Sequence, residues 1–146
     1  MLVARTTLRK GRNLKPASLA DGRCLISSGA DNGVGVELFD PQTETFSLVP
    51  GIPGYNGSWT SAESVNRLPD GRALITPFPT MLFDPTTNSL VEVPRIEGMP
   101  DDGSEATTLA NGHVLVSSGY LIRIAGYTSN AFEYEVATLN RTHNLK

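Results

Sequence analysis

Leu68-Pro69-Asp70-Gly71-Arg72-Ala73-Leu74-Ile75-Thr76 is the stretch that decides the fold, because the chain contains two further versions of it. Leu19-Ala20-Asp21-Gly22-Arg23-Cys24-Leu25-Ile26-Ser27 precedes it, and Leu109-Ala110-Asn111-Gly112-His113-Val114-Leu115-Val116-Ser117 follows it. The central glycines stand at positions 22, 71 and 112, so the repeats are 49 and 41 residues long. A period of roughly 45 residues built from short strands is typical of propeller blades.

Each repeat is predicted to form four antiparallel strands. The Asp-Gly or Asn-Gly pair supplies two positive-φ residues for a tight hairpin, and a more buried second strand follows it. The third strand ends at Asp40-Pro41 in the first repeat and at Asp84-Pro85 in the second, because proline lacks the donor that a sheet ladder needs. In the third repeat, Tyr127 takes the place of these prolines and the fourth strand is predicted over Ala131 to Val136. No segment shows a helical apolar period, so the fold class is all-β.

The repeated Leu-x-Asp-Gly stretch and the strand that ends at Asp-Pro together resemble kelch-type repeats, in the variety found in galactose oxidase-like propellers. The resemblance covers roughly residues 14 to 137 and depends on Leu-x-Asp-Gly-Arg-x-Leu-Ile and on the run from Glu37 to Phe46. The double glycine usual in the family survives only as Ser28-Gly29 and Ser118-Gly119. The resemblance implies four-stranded propeller blades. It does not fix a function, because kelch propellers include scaffolds, binding modules and enzymes.

The whole chain, residues 1–146, is predicted to be one kelch-like domain of three blades, over about 14–50, 61–94 and 103–137. The termini, 1–13 and 138–146, are caps or flexible segments. Because propellers close with typically 4 to 8 blades, three alternatives stay open. A homodimer that closes a six-bladed ring is the leading one, and the others are a fragment of a longer chain and an arc capped by its terminal segments.

Composition excludes several partners and favours one compartment. The formal net charge of −3 favours neither nucleic acid nor an anionic membrane. The single cysteine excludes an internal disulfide framework. No signal peptide or membrane-spanning stretch is visible in the sequence, which predicts a cytoplasmic protein.

No residue pattern in the chain predicts catalysis, a metal or a cofactor. Cys24 aligns with Ala73 and Val114 and is expected to be buried and unreactive. His113 and His143 show no ligand spacing with Cys24. A galactose oxidase-like copper site, which the family resemblance would imply, needs two histidine ligands, tyrosine ligation and a Tyr-Cys crosslink, and no motif places them together.

Two loops that depart from the repeat consensus are the candidate ligand-binding sites. The first joins the second and third strands of the first repeat and carries Asp31 and Asn32. The second joins the first two repeats and carries Tyr55, Asn56 and the only tryptophan, Trp59. Two aromatic residues with an amide between them suit stacking on a sugar face or holding a peptide. The expected partner is therefore a protein or carbohydrate ligand.

Charge is distributed unevenly, which predicts an interface between two copies. Basic residues gather at the start of the chain, and acidic residues gather before the third repeat; the candidate interface residues are Arg5, Arg9, Arg12, Asp101, Asp102 and Glu105. Opposite charges would meet at both junctions of a two-chain ring. The function predicted from sequence is a non-catalytic binding or protein-interaction module, and the alternative is a fragment or diverged member of a galactose oxidase-like or glycan-processing enzyme.

Overall fold

The computed structural model describes residues 11–30, 36–50, 61–78, 80–94, 97, 99, 105–117, 119–121, 126–128 and 131–135. Its regular structure within these ranges is entirely β. The strands are β1 (Gly11–Ser18), β2 (Cys24–Ala30), β3 (Val36–Asp40), β4 (Thr45–Leu48), β5 (Ser61–Arg67), β6 (Ala73–Phe78), β7 (Met81–Asp84), β8 (Ser89–Glu92), β9 (Ala106–Thr108), β10 (Val114–Val116), β11 (Gly119–Leu121), β12 (Gly126–Thr128) and β13 (Phe132–Tyr134). None of the described segments is a helix with the length and hydropathy needed to cross a membrane.

The strands form three antiparallel sheets and one separate hairpin. Sheet one has the order β1-β2-β3-β4, sheet two has β5-β6-β7-β8, and sheet three has β13-β10-β9. The hairpin pairs β11 with β12. The all-β class and one sheet per repeat are therefore confirmed, whereas a closed ring and its number of blades stay predictions.

The three repeated hairpins are equivalent, but their loops are longer than predicted. Gly22, Gly71 and Gly112 have φ values of 87°, 91° and 85°, so the predicted positive φ at each glycine is confirmed. The predicted positive φ at the residue before each glycine is wrong, since among described non-glycine residues only Glu44 and Asn88 have one. In the first hairpin the Leu19 N–H donates to the Arg23 carbonyl and the Gly22 N–H donates to the Leu19 carbonyl. This is a three-residue loop, in which a type I turn is followed by a left-handed glycine.

Sheet two lies between the other two sheets and packs on both. One of its faces carries Ala73, Ile75, Met81 and Phe83, which are fully buried in a cluster with Leu25 and Leu38 of sheet one. Its other face carries Leu74 and Leu82, which pack with Val114, Val116 and Tyr134 of sheet three. Strand alternation explains this division, because successive residues point to opposite faces of a sheet. The first strands of the sheets, β1, β5 and β9, neighbour one another in that order.

The third repeat differs from its prediction. The strand predicted as its fourth, over Ala131 to Val136, occupies the third-strand place, because Val114 pairs with Tyr134 as Cys24 pairs with Phe39 and Ala73 with Phe83. Tyr127 lies on β12, not in the turn predicted to replace Pro41 and Pro85. The hairpin β11–β12 is inserted between the second and third strands of the sheet. Among the described residues, sheet three therefore has three strands instead of four.

Candidate functional site

The turns of the repeat phrases and the connections between sheets lie at opposite ends of the strands. In each sheet the Asp-Gly or Asn-Gly loop lies at the end of the first strand, and the Asp40–Glu44 and Asp84–Asn88 turns lie on the same edge of sheets one and two. The three Asp-Gly or Asn-Gly loops are neighbours on this side, since a methyl group on Gly71 would lie 3.7 Å from Ala20 Cβ and one on Gly112 would lie 3.1 Å from Pro69 Cγ. We call this side the turn edge. The opposite side, where β2, β4, β6 and β10 end, is the connection edge.

The loop residues predicted to bind a ligand lie outside the described residues. Asp31 and Asn32 belong to the segment 31–35, and Tyr55, Asn56 and Trp59 belong to the segment 51–60. The strands that flank both segments, however, are described. β2 and β4 end at the connection edge, and β3 and β5 begin there. Both candidate segments therefore leave the sheets from the same edge and return to it.

The inserted hairpin is a third feature of the connection edge, which the sequence analysis missed. It leaves β10, returns to β13, and pairs Tyr120 directly with Tyr127. The signal available in the sequence was the pair Tyr134-Glu135, which matches Phe39-Asp40 and Phe83-Asp84 as an aromatic residue followed by an acidic one. Placing the third strand there leaves a long connection after Val116, and the Tyr120 and Tyr127 pair falls inside it.

At the turn edge, an arginine of the repeat phrase joins two sheets. Arg23 Nε donates to Asp21 Oδ2 at 2.7 Å, which fixes the guanidinium beside its own hairpin. Its other nitrogens reach sheet two, where Nη1 donates to Asn88 Oδ1 at 2.8 Å and Nη2 donates to the Pro85 carbonyl at 2.7 Å. We call this arrangement the arginine clasp. Because a guanidinium donates several charge-assisted hydrogen bonds in a fixed fork, it can fix the position of sheet one relative to the turn of sheet two.

Three aspartates of these turns have a pKa below the ordinary value. The hydrogen bond from the Arg23 side chain lowers the pKa of the Asp21 carboxyl. Burial acts to raise the pKa of Asp70, but hydrogen bonds from Arg72 outweigh it, so that this pKa is also lowered. Hydrogen bonds from Thr86 lower the pKa of Asp84. At the turn edge, these three aspartates thus accept hydrogen bonds that fix the turns.

The third repeat has a different contact at the arginine position. His113 stands where Arg23 and Arg72 stand in the other repeats, and its Nδ1 lies 2.6 Å from Glu133 Oε1 of the same sheet. The backbone N–H of His113 donates to Asn111 Oδ1, as Arg23 and Arg72 donate to their aspartates. The hairpin is therefore kept, while its side-chain contact stays within sheet three.

The residues predicted to form an interface are mostly outside the described ranges. This holds for Arg5, Arg9, Asp101 and Asp102. Arg12 lies on β1 opposite Gly29. Glu105 is exposed just before β9, and its carbonyl accepts hydrogen bonds from the backbone N–H and the hydroxyl of Ser117. The interface between two copies therefore stays a prediction.

Cys24 is not buried as the sequence analysis expected. Its counterparts in sheets two and three, Ala73 and Val114, are fully buried, whereas Cys24 is only partly buried. The reason is its position, since it lies on the face of sheet one that is turned away from sheet two. Its partial burial still raises the pKa of the thiol. Within the part of the chain that the structure describes, no three His, Cys, Asp or Glu side chains are grouped so that they could hold a metal ion.

No protein-family model matches this sequence, and no curated protein matches it significantly. The kelch resemblance therefore depends on the repeated residues alone.

Proposed function

We propose that the protein is a non-catalytic binding module, built as a kelch-like arc of sheets, that holds a protein or carbohydrate ligand at its connection edge. The observation that carries this proposal is topological. Short, hydrogen-bonded turns occupy one edge, whereas the connections between sheets and the inserted hairpin leave from the other. Binding residues concentrate in loops that a rigid scaffold positions.

The residue types at the connection edge support such a role. The segments that leave it include Tyr55, Asn56 and Trp59, and the inserted hairpin pairs Tyr120 with Tyr127. Tyrosine and tryptophan combine a large apolar surface with a polar group, which suits both sugar faces and peptides. The turn edge, in contrast, uses its polar side chains internally, in the contacts of Asp21, Asp70 and Asp84.

Intrinsic fluorescence offers a direct test, because Trp59 is the only tryptophan. The full chain is screened against an array of oligosaccharides and a displayed peptide library, and hits are titrated while emission is recorded. Replacing Trp59 or Tyr55 by alanine should weaken binding by about tenfold or more, as expected for an aromatic residue at the centre of a contact. The matched control is Gln42→Ala at the exposed tip of a turn-edge loop, which should leave the affinity unchanged.

Two results would contradict the proposal. One is a ligand whose affinity falls with Gln42→Ala and not with the Trp59 and Tyr55 variants. The other is the absence of any hit in both screens with protein shown to be folded. The six-bladed homodimer and the cytoplasmic location stay predictions, and light scattering tests the first of them by measuring the molar mass in solution.

A further inference from the structure

The face of sheet two that is turned towards sheet three carries a row of buried polar side chains, which we call the polar row. Among the described residues, four of the five buried polar or charged side chains lie on this face. They are Ser64, Asn66, Thr76 and Thr80. Sheet one carries the apolar residues Ala17 and Val36 in place of Asn66 and Thr80. The polar row is therefore a property of the second junction, between sheets two and three, and not of the repeat itself.

Thr76 lies at the centre of the polar row. It is the cross-strand partner of Ser64 on β5. On its other side lies Thr80, the residue before Met81, which pairs with Ile75. Directly opposite residues in an antiparallel sheet point to the same face, with Cβ atoms about 4.5–5.5 Å apart. The three hydroxyl groups therefore share one small region of the second junction.

The hydroxyl group of Thr76 is not satisfied by its described neighbours. The residue is fully buried, and no described residue forms a hydrogen bond with its Oγ1 atom. Burying a hydroxyl group without a hydrogen bond is costly, and valine would fill the same volume without that cost. A threonine at this position therefore indicates that its hydroxyl group has a partner.

One neighbouring hydroxyl group, that of Ser64, has the capacity for a further hydrogen bond. Its Oγ atom accepts a hydrogen bond from Asn66 Nδ2 at 2.9 Å. It also donates towards the Ala106 carbonyl of sheet three, but at a distance of 3.4 Å. Because a serine oxygen can accept two hydrogen bonds, Ser64 can accept one more from a donor placed beside Thr76.

The contact on the other side of Thr76 is also long. The Tyr134 hydroxyl lies 3.4 Å from Thr80 Oγ1 and 3.1 Å from Met99 Sδ, and its single proton can be donated to only one of them. Hydroxyl groups in direct contact are usually about 2.7–2.8 Å from their partners. Since the contacts of Ser64 and of Thr80 both cross the junction, sheets two and three stand slightly apart at the level of Thr76.

A water molecule has the size and the chemistry that this region requires. Thr76 and Thr80 are 0% and 2% exposed, so that only a very small molecule fits beside them. Water donates two hydrogen bonds and accepts two. A buried water molecule typically makes about three hydrogen bonds to polar groups that would otherwise be unsatisfied, and the polar row supplies such groups on neighbouring strands.

We propose that the second junction binds an internal water molecule, which forms a hydrogen bond with Thr76 Oγ1 and bridges it to the hydroxyl group of Ser64, of Thr80 or of both. The water satisfies the buried hydroxyl group of Thr76 on the face that meets sheet three. The two junctions are then held in different ways, the first by apolar side chains and the arginine clasp, and the second by a hydrated polar contact. This inference does not depend on the proposed ligand-binding function.

A crystal structure of the full chain, at a resolution that shows ordered water, tests the site directly. We expect a water molecule about 2.6–3.2 Å from Thr76 Oγ1 and within the same distance of Ser64 Oγ or Thr80 Oγ1. In the Thr76→Val variant this water should be lost while the strands keep their positions. The proposal is overturned if Thr76 Oγ1 contacts no water, or if its water reaches neither neighbouring hydroxyl group.

The sign of a stability change gives a second test. Thr76→Val keeps the shape of the side chain and removes its hydrogen bond to water, so the midpoint of thermal unfolding should fall by about 3 °C or more. A hydroxyl group without any partner predicts the opposite sign, because its removal relieves a cost. The matched control is Thr107→Val on the exposed face of sheet three, which should change the midpoint by about 1 °C or less. An unchanged or higher midpoint in Thr76→Val would contradict the proposal.

Coupling between variants tests the bridge. Ser64→Ala and Thr80→Val are each combined with Thr76→Val, which removes the central hydroxyl group, and with Thr76→Ser, which keeps it. At least one of the two substitutions should lower the thermal midpoint less in the Thr76→Val background than in the Thr76→Ser background, because the bridging water is already lost there. If both substitutions cause the same loss in the two backgrounds, no water bridges Thr76 to its neighbours.

Discussion

The junction between sheets one and two differs from the junction between sheets two and three at one matched pair of positions. In the first junction, Phe83 is buried in the same cluster as Val36. In the second, Tyr134 takes the place of Phe83 and Thr80 takes the place of Val36, and their hydroxyl oxygens lie 3.4 Å apart. The tyrosine hydroxyl also lies 3.1 Å from Met99 Sδ. One repeat geometry thus accommodates an apolar pair in the first junction and a polar pair, whose hydroxyls lie near each other, in the second.

The hairpins of the two junctions also meet at different distances. A methyl group on Gly71 would make an ordinary contact with Ala20, whereas one on Gly112 would lie within 3.1 Å of Pro69. The second junction is therefore more polar inside and tighter at its turn edge. These two differences can be measured separately.

Removing the large side chain of the apolar junction should have the largest effect. Phe83→Ala deletes a fully buried ring from the cluster shared by sheets one and two. We expect the free energy of unfolding to fall by about 3–5 kcal/mol, from lost burial and from the cavity left behind. Urea denaturation measures it. The control is Val91→Ala, because Val91 is 51% exposed, and a change there as large as at Phe83 would mean that the first junction is not a packed core.

Transplanting the polar pair should show whether the hydroxyls depend on each other. Phe83→Tyr places a hydroxyl in the first junction near Val36, and we expect it to lower the unfolding free energy by about 2 kcal/mol, because a buried hydroxyl without a partner is costly. Adding Val36→Thr should recover part of this loss. A double-mutant cycle measures the coupling. Strict additivity of the two changes would show that the matched pair is not a pair in energy.

Replacing each of the three hairpin glycines by alanine should show how closely each hairpin packs on its neighbour. Each substitution forces a side chain into a left-handed backbone, which we expect to cost about 1 kcal/mol. Gly22→Ala should cost only this, because no atom lies within 4 Å of the added methyl group. Gly71→Ala should be similar. Gly112→Ala should cost about 1 kcal/mol more, since Pro69 must move to relieve the contact. Thermal and urea unfolding measure the loss of stability in each variant. An equal loss at all three positions would show that the hairpins of the two junctions do not differ in how tightly they pack.

The sequence predicted the first two sheets well because turn residues mark both ends of their strands. Asp-Gly and Asp-Pro have few alternatives in backbone conformation, and the observed strands agree with them. The third repeat was placed incorrectly because its Asp-Pro phrase has been lost, so that spacing alone selected Tyr127 as the turn. Only the pairing of Val114 with Tyr134 reveals the true register.

Contacts between distant residues were beyond the sequence analysis. Arg23 and Asn88 are 65 positions apart in the chain, and nothing local in either repeat indicates that the first clasps the second. Cys24 shows the same limit. Its place in the repeat predicted an apolar position correctly, but its burial depends on whether another sheet covers that face. The candidate ligand residues Tyr55, Asn56 and Trp59 lie in segments without a repeat counterpart, so repetition could indicate their edge and not their conformation.

Lowering the pH should weaken the contacts of Asp21 and Asp70 at the turn edge. We expect this effect to be smaller than those of the three preceding predictions. Asp21 and Asp70 have pKa values lowered from the ordinary 3.8 in the folded protein. A carboxyl whose folded pKa is lowered stabilises the fold above its unfolded pKa, and this stabilisation is lost as the pH falls through the folded value. The free energy of unfolding should therefore decrease as the pH is lowered below about 4. Because Asp21 and Asp70 lie near the surface, solvent and salt screening keep each contribution modest.

Asparagine variants should assign this pH dependence to the two aspartates. Asp21→Asn removes the charge that orients Arg23, and Asp70→Asn removes the one that contacts Arg72. Each should flatten the acid limb of the stability curve and lower stability at neutral pH, while Thr43→Ala at an exposed turn position should leave the slope unchanged. The native third hairpin already has Asn111 at this position, with its side-chain oxygen bonded to the His113 N–H. The hairpins should therefore survive both substitutions. If acid sensitivity is the same in the double variant as in the original chain, Asp21 and Asp70 are not the source of the pH dependence.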